Sequence, residues 1–167
     1  MFQKLLFAFI VFCFSLQQTK AVEIPSIERI LVQKKARKMF LYSGDDIVRE
    51  YNIRLGSNPT GPKTRQGDNR TPEGDYTIVL HNPKSAYHLS LKISYPTLQQ
   101  RIEAENNGYS AGGDIMIHGY PNKAPNFLFK FIHKNRDWTA GCIAVNNKEI
   151  EEIYMLVKDG TPIRIEP

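Results

Sequence analysis

Two side chains in this sequence have the type and setting for nucleophilic chemistry: the thiol of Cys142 and the imidazole of His118, 24 positions upstream. A thiol attacks as its thiolate, so near neutral pH it needs a base, and histidine titrates in the right range. Gly141 precedes the cysteine and Gly119 follows the histidine. A glycine beside a thiol leaves it unshielded and lets a substrate carbonyl approach the backbone N–H groups of Gly141 and Cys142, where an oxyanion would be held. The chemistry such a set performs is acyl transfer. The 24-residue separation is compatible with two strand ends lying side by side.

Other readings of the same residues stay open at this level. His133, nine residues before the cysteine, is a second candidate base. Asp114 either orients His118 or lies at the surface, and His81 and His88 flank a turn and read as surface residues. By donor type His118, His133, Asp137 and Cys142 suggest a zinc site, but their spacing matches no familiar zinc pattern. A buried structural thiol is the plain alternative for Cys142, and a satisfied core imidazole the plain alternative for His118. No cofactor and no metal are called for.

The N-terminus bears on the cysteine count. Residues 1–21 have a short charged start at Lys4, continue as an apolar run over 5–16 and end in Thr19-Lys20-Ala21, the layout of a signal peptide cleaved after Ala21. The run is about a dozen residues, whereas a helical membrane span takes roughly 20. Cys13 lies within it, after Ile10-Val11-Phe12, which lacks the small residues of a lipoprotein processing site. Its loss leaves Cys142 as the single thiol of an exported chain of 146 residues, residues 22–167, with no internal disulfide. That length suits one domain and implies no further membrane span. Of the 22 basic side chains Lys4 and Lys20 leave with the signal, so 20 face 17 acids, a net charge of about +3. This balance is too mild to argue for nucleic acid and does not repel a polyanionic wall.

The elements that must position the pair read as mostly β. Residues 28–55 alternate short apolar stretches, with Ile30 and Val32, then 39–42, then 47–55, broken by polar turns, as in a β-meander. The turn Lys34-Lys35-Ala36-Arg37-Lys38 reads as a solvated hairpin. Residues 56–74, crowded with Pro59, Gly61, Pro62, Gly67 and Pro72, read as a long loop of functional or disordered character. Strand-like composition resumes at 76–81 and 88–95, Thr97 caps a short helix to about Asn106, and 114–118 is a brief strand ending on His118. Residues 127–132 fit helix or strand. The alternation of Phe127, Phe129 and Phe131 favours a core role for these rings. Asn146 and Glu149 make a capping box for a helix with Ile150, Ile153, Tyr154 and Val157 on one face, and 161–165 forms a last strand.

The ordered set of motifs resembles the L,D-transpeptidase family, the YkuD-type catalytic domain. Ile117-His118-Gly119 followed by Thr139-x-Gly141-Cys142 matches its signature of His-Gly, then Ser or Thr-x-Gly-Cys. Residues 67–76, Gly-Asp-x-Arg-Thr-Pro-Glu-Gly-x-Tyr, match its upstream turn, and the likeness runs from about residue 30 to 165. The resemblance implies a β-sandwich-like catalytic domain with two or three short helices, acting on peptidoglycan stem peptides in the periplasm or cell wall, as a monomer. Cys142 would attack the carbonyl of a meso-diaminopimelate residue, with His118 as base and then acid. The amides of Gly141 and Cys142 would hold the intermediate, worth on the order of 3 kcal/mol per donor, with Thr139 and Gly119 supporting the turns. The thioester would pass to an amine, or to water. One departure stands out: cross-linking members carry arginine two residues after the cysteine, where this chain has Ala144. The run Thr139-Ala140-Gly141-Cys142-Ile143-Ala144 resembles a branch with hydrolases that cut diaminopimelate from an attached lipoprotein. Lys63, Arg70 and Arg136 are the basic residues available to hold the substrate carboxylate. The opposing class is a wall-binding module without turnover. A papain-type protease is disfavoured, because there the nucleophile precedes the histidine.

Overall fold

The computed structural model describes residues 25–123 and 125–167; the signal peptide expected over 1–21 lies outside them. Eight strands form one mixed sheet in the order β3-β2-β1-β8-β4-β5-β6-β7. They are β1 Arg29–Gln33, β2 Lys38–Ser43, β3 Asp46–Asn52, β4 Gly74–Asn82, β5 Ser90–Ile93, β6 Met116–His118, β7 Ile143–Ala144 and β8 Pro162–Glu166. The helices are α1 Leu98–Asn106, α2 Asn126–Asn135 and α3 Asn147–Leu156. No described helix is long and apolar enough to cross a membrane.

The meander of β1, β2 and β3 forms as expected; β1 and β2 alternate, with Ile30, Val32, Met39 and Leu41 turned inward at no more than 1% exposure, while β3 buries Tyr51 alone. The sheet curls at β4. Its first half pairs with β8 and its second half with β5, with a register shift between Ile78 and Leu80. A strand that changes partners at a bulge bends one half of the sheet over the other. The inward residues of both halves, among them Ile30, Ile78, Leu91, Ile117, Ile143 and Ile163, meet in one core with Ile150 and Ile153 of α3. Each such side chain contributes about 1.5–3 kcal/mol on burial.

Two helices start where the sequence says. Thr97 Oγ1 accepts from the Gln100 N–H of α1 while the Gln100 side chain accepts from the Thr97 N–H, and Asn146 and Glu149 make the same reciprocal pair at α3. The stretch left open between helix and strand is a helix, α2, and the core role expected of its phenylalanines is overturned. On a helix, positions 127, 129 and 131 do not share a face, and Phe127 and Phe131 are 78% and 67% exposed. Only Phe129 turns inward, toward Trp138 and Tyr120.

The hairpin turn after β1 is not a solvated charge run either. Lys34 is 2% exposed, and its ammonium donates to Gly61 O at 2.8 Å, Thr71 O at 3.0 Å and Glu73 Oε1 at 2.7 Å. Arg37 forks onto Asp137 at 2.7–3.1 Å, and Asp137 also accepts from the Leu55 N–H at 2.9 Å. The meander therefore holds both the 56–74 loop and the segment leading to Cys142. That loop is ordered from within as well. Asp68 accepts from Lys63 Nζ at 2.7 Å and from the N–H groups of Thr64, Arg65 and Arg70, which hold its carboxyl down to about 2 against the pull of burial.

Candidate active site

The pair singled out by residue type is brought together by sheet pairing. β6 and β7 run parallel with Ile117 opposite Ile143 and His118 opposite Ala144, and the Val145 N–H donates to His118 O at 2.9 Å. Ile117 and Ile143 point into the core at 0% exposure. By strand alternation His118, Ala144 and Cys142 then share the opposite face. Cys142 is thus the diagonal neighbour of His118 across the two strands, a relation that brings Cα atoms within about 7–8 Å.

His118 is 4% exposed. Its Nδ1 lies 2.7 Å from Gly119 O. That contact places the proton on Nδ1 and leaves the Nε2 lone pair as the basic site. Tyr87 and Trp138 wall the ring, with centroids 4.5 and 5.6 Å away. Burial pushes the imidazole pKa down to about 4, against a small upward pull from the Gly119 carbonyl. Burial pushes the Cys142 thiol up, opposed by the Met116 N–H aimed at the sulfur and by the charge of Lys63. Both partners are therefore neutral at pH 7, so the depressed thiol pKa of a standing thiolate is absent and the proton must move within the reaction.

The turn that presents the thiol is built on Thr139. Its Oγ1 accepts from the Gly141 N–H at 3.1 Å and donates to Cys142 O at 2.7 Å. The Gly141 amide, expected as an oxyanion donor, is thus committed to the turn, while the Cys142 N–H has no acceptor among the described residues. Gly141 has φ +135°, and a Cβ there would meet Arg70 O at 2.7 Å. Gly119 is pressed as closely: a Cβ would lie 2.7 Å from Asn147 Oδ1. The sulfur rests 3.5 Å from Asp114 O. A cavity of about 450 Å³ lies on the far side of Asp114, lined by Lys63, Gln66, Gly113, Asp114 and Ala140 but not by Cys142 or His118, and shares Ser110, Gly112, Gly113 and Asp114 with another of about 700 Å³.

The remaining expected residues sort apart. Lys63 reaches the neighbourhood of the thiol, but its ammonium is clamped to Asp68. Arg70 offers its backbone carbonyl to the glycine turn, and its guanidinium lies near Pro62 O. Arg136 is exposed at the C-terminal end of α2. The carboxylate of Asp114 pairs with Lys92 at 2.6 Å, away from His118, which takes its orientation from Gly119 instead. His133 is buried on the inner face of α2 with its pKa pushed down to about 4, first by burial and then by the charge of Arg54. His81 and His88 are half-buried and bonded to Asp159 and Glu151 rather than free at the surface. No three His, Cys, Asp or Glu side chains converge on a metal position among the described residues. Sequence reasoning missed Tyr87, Trp138 as a wall of the imidazole, and Arg54. Only Trp138 carried a signal, its adjacency to the Thr-x-Gly-Cys motif.

The model of the L,D-transpeptidase catalytic domain, YkuD, matches residues 27–165. The chain belongs to that family. It is 28% identical over 138 residues to YafK of Escherichia coli strain K12, covering 80% of this chain and 47% of that protein. Against YkuD of Bacillus licheniformis the identity is 28% over 144 residues, covering 83% and 66%. This L,D-transpeptidase-family chain thus spans about half the length of YafK and two-thirds of YkuD. Among solved structures, the helical cell shape determining protein Pgp2 of Campylobacter jejuni superposes with a TM-score of 0.62 at 25% identity, over 85% of this chain and 48% of that one. An L,D-transpeptidase of Mycobacterium smegmatis, at 14% identity and a TM-score of 0.55 over 84% and 59%, shares the fold.

Proposed function

We propose that this protein is an exported, cysteine-dependent acyltransferase acting on peptidoglycan stem peptides through a thioester at meso-diaminopimelate. The observation that carries the reading is the shared face of β6 and β7, with Cys142 diagonal to a histidine whose Nδ1 is tied to Gly119 O. Family membership supports the substrate class. As the sulfur attacks the scissile carbonyl carbon, His118 Nε2 takes the thiol proton, so the S–C bond forms without a preformed thiolate. The oxyanion is held by the Cys142 N–H. Collapse expels the C-terminal residue as an amine that collects the proton from His118, leaving the thioester. An incoming amine then gives a new amide, with His118 again accepting and returning the proton.

A second reading shares every step but the last. If water resolves the thioester the enzyme is a hydrolase, trimming stem peptides or freeing a wall-attached lipoprotein. The departure at Ala144 and the likeness to the Thr-Ala-Gly-Cys-Ile-Ala branch favour it. Mass analysis of muropeptides after incubation separates the two: cross-linked dimers mean transfer, trimmed or released products mean hydrolysis. Cys142→Ala is expected to abolish both, and unchanged turnover by that variant would sink the proposal.

A further inference from the structure

The structure leaves an arginine on the site face that none of the sequence motifs contains. Arg54 pairs with Ala144 on the free side of β7: the Arg54 N–H donates to Ala144 O at 2.9 Å and the Ala144 N–H to Arg54 O at 2.7 Å. Residues that exchange both bonds are directly opposite, so their side chains share a face. His118 is opposite Ala144 on the other side. Arg54, Ala144 and His118 therefore stand in one row across three strands, with Ile53 and Leu55 turned to the core at 0% exposure. The row spans two strand spacings, roughly 10 Å, with the buried Ala144 between Arg54 and His118 and with His133 close enough to feel the charge of both.

Among the described residues no carboxylate pairs with Arg54. Its Nη1 donates to Ile53 O at 2.8 Å and its Nη2 to Lys134 O of α2 at 2.5 Å. Its Nε is buried with no acceptor. Five N–H donors with two used leave three, and a buried donor without an acceptor is costly. The guanidinium fork matches a carboxylate better than any other side chain does. Of the other cations considered for this duty, Lys63 is spent on Asp68 and Arg136 lies at the surface, while Arg70 abuts the glycine turn with its guanidinium near Pro62 O.

We propose that Arg54, set across Ala144 from His118, binds a carboxylate of the acyl-donor peptide and so sets which donors enter the site. The inference rests on the reading of this site as one that takes diaminopimelate-containing peptides. Two donor carboxylates have the right chemistry, that on the diaminopimelate side chain and that of the C-terminal residue. Arg54 is a specificity residue that touches substrate and does not take part in the proton transfers.

The test measures binding of three donor tetrapeptides to the Cys142→Ala protein, which holds a donor without consuming it. One donor is unmodified, one is amidated at the diaminopimelate side chain, and one is amidated at the C-terminus. Adding Arg54→Ala is expected to weaken the unmodified donor about tenfold or more, as for a hydrogen-bonded charge pair. The same change should leave one of the two amidated donors unaffected, which also identifies the carboxylate. Equal weakening of all three donors would make Arg54 a tether for α2 and overturn the proposal, as would no weakening of any. Arg54→Gln, which keeps a donor for Lys134 O without the charge, gives the same readout should the alanine variant not fold. Cys142-dependent turnover in the parent protein is scored separately. Its absence defeats the acyl-transfer reading, whereas turnover with donor preference indifferent to residue 54 defeats this proposal alone.

Discussion

His118 Nδ1 sits 2.7 Å from the carbonyl oxygen of Gly119, the next residue in the chain. No carboxylate takes part in this contact, so the backbone itself selects the tautomer. A carboxylate would hold the imidazolium by charge and lift its pKa, whereas a carbonyl in a buried setting does so weakly, and burial prevails. The imidazole is held down to about 4. Above that pH the base is present, and below it Nε2 is protonated and cannot accept from the thiol. The acid limb of kcat/KM is therefore expected near pH 4 rather than at the ordinary histidine value of about 6.5. A rate profile from pH 3.5 to 8 checks this, and an acid limb at 6 to 6.5 would contradict it.

Thr139 Oγ1 carries two hydrogen bonds that hold the thiol-bearing turn. Valine has nearly the same shape and makes neither. Thr139→Val is expected to lose about 2–3 kcal/mol where the two bonds acted, which corresponds to a fall of about 30- to 160-fold in kcat/KM if felt wholly at the thiol. Thr139→Ser, which keeps the oxygen, should retain most of the activity. Steady-state kinetics on one muropeptide donor decides, and a valine variant as active as the parent would remove Thr139 from the site.

What the sequence revealed of this architecture was local, and what it hid was long-range. Period-two patterning placed β1 and β2 because each buries one face, and the cap at Thr97 and the capping box of Asn146 and Glu149 were readable because their partners lie three residues apart. The α2 segment misled because its phenylalanines alternate, while its N-cap, Pro125, supplies no side-chain bond that would have announced a helix. Lys34 looked like surface charge because its partners lie 27 to 39 residues further on, in a loop with no regular structure. At the candidate site, residue type and flanking glycines single out Cys142 and His118. Tyr87 and Arg54 were not legible, since a long-range turn contact to Gly119 brings the first to the imidazole and a backbone bridge brings the second to Ala144.

Gly141 combines a φ of +135° with a wall of backbone where a side chain would go. Gly141→Ala is expected to cost about 1–3 kcal/mol for the strained backbone alone, with a further loss as the new methyl pushes against Arg70 O. Gly67, at φ +81° with nothing within 4 Å of its missing Cβ, is the natural control. Gly67→Ala carries backbone strain without a clash and should be the milder change. Urea midpoints of the two variants test the comparison, and equal midpoints would show that the approach to Arg70 is not tight.

Lys34 joins the first strand to the loop beneath the thiol through one carboxylate and two carbonyls. Its methylene stem is buried, so methionine fills the same volume and removes only the ammonium. What remains is Glu73, whose side chain is 19% exposed, and two carbonyls stripped of their donor. Breaking a fully buried pair costs 3–5 kcal/mol, and the partial exposure of Glu73 lowers that figure, so Lys34→Met is expected to lose about 2–3 kcal/mol. Because Gly61, Thr71 and Glu73 lie along one loop, the loss should appear there first, as protease cleavage within residues 56–74 at urea concentrations where the strands still protect their amides. Glu73→Gln in the same background relieves the orphaned charge and should recover part of the stability. A Lys34→Met protein whose 56–74 segment stays as resistant as the parent's would mean that Asp68 and the glycine contacts, not the lysine, hold the loop against the site.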